Sequence, residues 1–66
     1  MNINSKMMNV EMAKQGITLI KLSELTGISR ATLSAVKNGK TCSFKTAVNV
    51  AKVLNIEVMD FIESEV

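Results

Sequence analysis

The sequence predicts an all-α fold, a compact bundle of five short helices, and three observations carry that prediction. Its 66 residues contain no proline and only two aromatic residues, yet 47% are hydrophobic, so the core must be built from Leu, Ile, Val, Met and Ala. Hydroxyl side chains at Thr18, Ser29 and Ser43 each stand just ahead of a helical segment, where a side-chain oxygen accepts a hydrogen bond from a free backbone N–H. Between Phe44 and Leu54 apolar residues recur at intervals of three and four, the period of one helix face.

The first helix is expected over residues 4 to 15, capped by Asn4 or Ser5, with Met8 and Met12 as its buried stripe and Gly16 as its stop. The methionines are flexible core filler in this reading. A second helix, Leu19 to Thr26, follows the Thr18 cap, and Gly27 supplies the left-handed residue that ends it. Leu22 faces inward beside the small Ser23 at a close crossing, while Leu25 and Thr26 close the helix. Leu19 and Ile20, in its first turn, look toward solvent or a partner. Ser29 caps a third helix, Arg30 to Lys37. With only Gly27-Ile28 between the end of the second helix and the Ser29 cap, the third helix leaves at a steep angle and Ile28 turns inward as the pin, which is helix-turn-helix geometry.

Leu33 and Val36 point into the core, leaving Arg30, Ala31, Ser34, Ala35 and Asn38 on the outer side of the third helix. A donor-rich loop, Asn38 to Cys42, leads to Ser43 and the fourth helix, Phe44 to Leu54, whose expected buried positions are Phe44, Ala47, Val48, Ala51 and Leu54. Asn55-Ile56 makes a short link. The last helix is expected from about Val58 to Glu63, with Phe61 directed into the core, Glu57 near its positive end, and Val58, Ile62 and Val66 on a less buried side.

Residues 1–66 are expected to form a single domain. Chains this short draw only ~3 to 5 kcal/mol from a core and depend on metals, disulfides, oligomerisation or regular helix packing. A lone cysteine, Cys42, forms no internal disulfide, and with no histidine the common zinc sets are missing, so no metal and no cofactor is expected. Cys42 reads as a passive loop residue in a reducing compartment. No signal-peptide run and no membrane-length apolar stretch occurs, which predicts a cytoplasmic protein without a membrane partner. Without a nucleophile, base or metal constellation an enzyme is not expected.

The net charge of +2 conceals a division. From Lys14 to Lys52 seven basic residues stand against the single acid Glu24, a local charge of +6, whereas Val53 to Val66 carries four acids and no base. A polyanion met by the middle of the chain and avoided by its end fits this pattern. The outer face of the third helix is mostly small, which permits close approach to another surface, with one arginine at its first turn. An arginine so placed can reach a guanine edge with paired hydrogen bonds. The face taken alone equally suits the solvated side of a small helical domain.

These residues resemble the Cro/CI-type (XRE-like) helix-turn-helix transcriptional regulators of phages and mobile elements. The resemblance rests on Gly16-Ile17-Thr18, Leu22-Ser23, Gly27-Ile28-Ser29-Arg30, Thr32-Leu33-Ser34, Asn38-Gly39-Lys40, and Ser43-Phe44 leading to Ala51, Leu54 and Ile56. It implies a lambda-repressor-like domain whose third helix enters the major groove, with Arg30, Ala31, Ser34 and Ala35 at base-reading positions. Phosphate contacts are implied near Thr18, Ser29 and Ser43 and from Lys37, Asn38, Lys40, Thr41 and Lys45. Many members place glutamine just after the cap of the second helix, where this chain has Leu19. Many also pair an arginine late in the first helix with a glutamate late in the third, at positions held here by Met12 and Lys37. Loss of both halves leaves no charge buried alone and frees Lys37 for a phosphate.

A domain of this size reads about half of a site, so two copies are expected on half-sites one turn apart. The homodimer surface is expected around Asn55, Ile56, Val58, Met59 and Ile62, where residual apolar side chains collect. The function expected is sequence-specific regulation of transcription on double-stranded DNA, as a repressor of a palindromic operator, without a small-molecule ligand. The competing expectation is a protein-interaction module, such as an antitoxin or anti-repressor, supported by Leu19 and Ile20.

Overall fold

The computed structural model describes residues 1–63. Among the described residues there are five helices: α1 (Ser5–Gln15), α2 (Leu19–Thr26), α3 (Arg30–Lys37), α4 (Phe44–Leu54) and α5 (Val58–Phe61). A two-residue strand at either end, β1 (Asn2–Ile3) and β2 (Ile62–Glu63), pairs antiparallel with Asn2 opposite Glu63 and Ile3 opposite Ile62. The expected all-α bundle is thus the observed fold, closed by one short ribbon.

The helix boundaries follow from their caps. Asn4 accepts from the Met7 N–H at 2.9 Å, Thr18 from Lys21 at 3.1 Å, and both Ser29 and Ser43 accept at 3.2 Å from the residue three ahead. Gly16 and Gly27 end α1 and α2 in left-handed conformations, with φ of 66° and 74°. Asn55 takes the same role after α4 at φ 58°, a conformation that asparagine tolerates better than most residues.

Met8, Leu22, Leu33, Leu54 and Phe61 are fully buried and form the centre of the core. Ala47, Val50 and Ala51 bring α4 close to it, and Val36, Met12 and Ile3 complete it.

Three expectations are corrected. The last helix ends at Phe61, because Ile62 is extended (φ −84°, ψ 122°) and joins β1, while the Phe61 carbonyl accepts from the Asn4 N–H at 2.7 Å. Val66 lies outside the described residues. Phe44, expected in the core, is 58% exposed, and Val48 is only half-buried. The buried stripe of α4 is centred on Ala47, Val50, Ala51 and Leu54, which leaves Phe44 at its margin in the first turn.

Side-chain amides tie the helices together where charged pairs are missing. Asn9 donates to the Lys37 carbonyl at 3.3 Å, joining α1 to the end of α3. Gln15 donates to the Leu54 carbonyl at 2.6 Å, and Asn49 to the Thr26 carbonyl at 3.1 Å. Met12 and Lys37 therefore sit where a neutral linkage, from Asn9 to backbone, holds α1 against α3.

Candidate nucleic-acid interface

The corner between α2 and α3 is held by hydroxyl groups. Ser23 donates to the Ile28 carbonyl at 2.6 Å, and Thr26 donates to the Leu22 carbonyl at 2.8 Å while accepting from the Ile28 N–H at 3.2 Å. Both polar groups of the Ile28 backbone are thereby satisfied inside the turn, and the Ile28 side chain packs against the core as expected. Ser23 was read from the sequence only as a small residue at a crossing. Its hydroxyl is in fact a clamp on the turn, a role that its type permits but its spacing does not announce.

On α3, Leu33 and Val36 are buried, which fixes the helix rotation. Arg30 and Ala31 consequently stand exposed in its first turn, and Ser34 and Ala35 are half-buried on the same outer side. The Ser29 hydroxyl both caps the helix and donates to Thr32 Oγ1 at 2.9 Å. No acid occupies the first turn of α2, α3 or α4, so nothing there opposes an anion at the positive helix ends.

The candidate phosphate residues divide into two groups. Thr18 and Ser43 cap α2 and α4 and occupy one backbone N–H each, leaving the N–H groups of Leu19, Ile20, Phe44 and Lys45 without an intrahelical acceptor. Such free N–H pairs at a helix start suit a phosphate oxygen. The second group follows α3. Asn38, Lys40 and Thr41 are exposed, and the Lys40 N–H donates to the Ala35 carbonyl at 3.0 Å, folding the loop back over the end of α3. Gly39 makes this possible at φ 96°. Lys45 is exposed beside the turn, near Gly27 and Ile28, while Lys37 is half-buried.

One connection was not foreseen. The Cys42 N–H donates to the Met1 carbonyl at 2.9 Å, so the residue just before β1 anchors the loop that leads into the Ser43 cap. Burial pushes the Cys42 thiol up from its ordinary value, against a weaker downward pull from the N-terminal ammonium. Among the described residues no cluster of His, Cys, Asp and Glu is arranged to hold a metal ion.

The expected dimer residues separate by exposure. Met59 is 81% exposed and Asn55 is exposed, whereas Ile56, Val58 and Ile62 are half-buried and packed against the core. Leu19 also packs against the core, but Ile20 is 56% exposed. Ile20 borders a shallow groove between α1 and α2, lined by Met12, Ala13, Gly16, Ile17 and Leu19 with Lys37 at its edge.

A capped corner, an exposed small-residue helix and unpaired helix starts beside basic loops define a helix-turn-helix DNA-binding domain. Residues 7–65 match the Cro/C1-type HTH DNA-binding domain, and the chain belongs to that family. No curated protein and no solved structure matches it. None of the described helices is long and apolar enough to cross a membrane.

Proposed function

We propose that the chain is a sequence-specific transcriptional regulator that acts as a repressor, binding a palindromic operator as a homodimer. The single observation that carries this proposal is the outer face of α3, where Arg30 and Ala31 are exposed and the small Ser34 and Ala35 are half-buried beside them. In the major groove, Arg30 takes a guanine through paired hydrogen bonds, and Ala31 and Ala35 meet thymine methyl groups. Ser34 supplies an adaptable donor and acceptor.

Backbone N–H groups behind Thr18 and Ser43 bind phosphates on either side of the groove, and Ser29 positions the start of α3. Lys37, Asn38, Lys40, Thr41 and Lys45 hold the backbone of the strand that α3 reads. Two copies joined through Asn55, Ile56, Val58, Met59 and Ile62 present their α3 helices to successive turns of one face of the duplex. The chain works as one domain in the cytoplasm and carries out no catalysis.

Exposed Ile20 beside its apolar groove favours a second reading, in which the domain captures another protein. A salt titration of binding separates the two. Phosphate contacts release counterions, so log K falls linearly with log[salt] at a slope of about −0.9 per contact. Six or more contacts between two copies and a duplex predict a steep line. A flat line would remove DNA reading as the function and leave the protein-capture reading.

A further inference from the structure

Among the described residues, the two most exposed large apolar side chains carry opposite electrostatic surroundings. Met59, 81% exposed, is flanked by exposed Asp60 on α5 and by exposed Glu57 just before that helix. Phe44, 58% exposed, opens a groove along α4 with Val48, bordered by Lys45, Asn49 and Lys52. Among the described residues the ion pairs are Lys14–Glu11 and Lys21–Glu24, so neither the lysines of the groove nor the acids beside Met59 are engaged. Phe44, Val48, Lys52 and Asn55 follow one another at intervals of four, four and three, which places them on a single stripe of the α4 surface. That stripe runs directly into the link before α5.

We infer that the occupant of this groove is a second copy of the chain. Met59 of each copy seats between Phe44 and Val48 of the other, with Asp60 facing Lys52. The inference rests on the homodimer proposed above and changes what its interface contains: α5 of one copy meets α4 of the other, instead of α5 meeting α5. A two-fold axis makes the contact reciprocal, so one dimer holds two apolar seats and two sets of opposite charges. An apolar knob inside a charged rim also explains why the acidic end of the chain remains compatible with a basic DNA-facing side. Asp60 is neutralised across the interface by Lys52.

Reciprocity gives a specific test by sedimentation at moderate salt, using the parent chain, Lys52→Glu, Asp60→Lys, and an equimolar mixture of the two variants. Each variant alone opposes like charges at both seats and is expected to self-associate roughly tenfold more weakly than the parent. In the mixture every seat again pairs opposite charges, so a heterodimer of near-parental affinity forms. Circular dichroism confirms that each surface variant is folded. If the parent dimerises but Lys52→Glu has no effect, the α4 seat is refuted and the homodimer stands. If the parent remains a monomer both free and on its DNA site, the homodimer itself is refuted.

Discussion

Replacing Ser23 by alanine isolates the bond that fixes the angle between α2 and α3. Its hydroxyl donates to the Ile28 carbonyl at 2.6 Å, and the side chain is half-buried, so water replaces the lost donor only in part. A neutral hydrogen bond contributes about 0.5–1.5 kcal/mol net, and a buried carbonyl left without a partner costs about 1–3 kcal/mol. Half burial places the expected loss between these, at about 1–1.5 kcal/mol. In a domain of this size each kcal/mol corresponds to roughly 4–8 °C in melting temperature. Since the whole core contributes only ~3–5 kcal/mol, the variant remains folded at room temperature with a third of its margin gone. Thermal denaturation followed by circular dichroism reads the shift. The same variant, titrated onto DNA well below its melting temperature, should discriminate less between sites because α3 is held less firmly. A melting temperature equal to the parent's would refute the clamp.

Three further outcomes follow from the same structure. Gly27→Ala should cost about 1–2 kcal/mol through its φ of 74° alone, because a Cβ there meets no atom within 4 Å; Gly27→Asn should recover part of the loss in the same melting experiment. Lys40→Ala should weaken binding to all duplexes alike and make the salt slope shallower by about 0.9 per chain, and an unchanged slope would remove Lys40 from the phosphate contacts. Cys42 should react with iodoacetamide more slowly than a free thiol at mildly alkaline pH, since burial keeps it protonated. The sign for stability agrees: a thiol whose folded value is raised supports the fold below its unfolded value and loses that support as pH rises through the folded one. Equal reaction rates would show that Cys42 is not shielded.

Much of the fold was legible because its signals are local. A hydroxyl or amide ahead of a helical period, and a glycine after it, act within four residues, and Asn4, Thr18, Ser29, Ser43, Gly16 and Gly27 all do what their types suggest. The rotation of α3 was legible for the same reason, since Leu33 and Val36 leave only one side outward. The ribbon of β1 and β2 was not, because two-residue strands show no period and their partner lies at the other end of the chain. Ile3 therefore went unrecognised as a core residue, and so did the early end of α5. Phe44 shows a different limit: its type and spacing argued for burial, yet at the very start of α4 it stands 58% exposed. Asn9, Gln15 and Asn49 reach backbone carbonyls 28, 39 and 23 residues away, and polar side chains carry no sequence signal for such distant acceptors.

Selection of binding sites from a random duplex library at near-physiological salt, with the parent chain beside Arg30→Ala, tests most directly that α3 reads DNA through its outer face. Enrichment of an inverted repeat with half-site centres about 34–36 Å apart is expected, with preference relaxed in the variant at one guanine-bearing pair per half-site. No enriched sequence, with only salt-sensitive binding near the non-specific range of about 10⁻⁴ to 10⁻⁶ M, would contradict it.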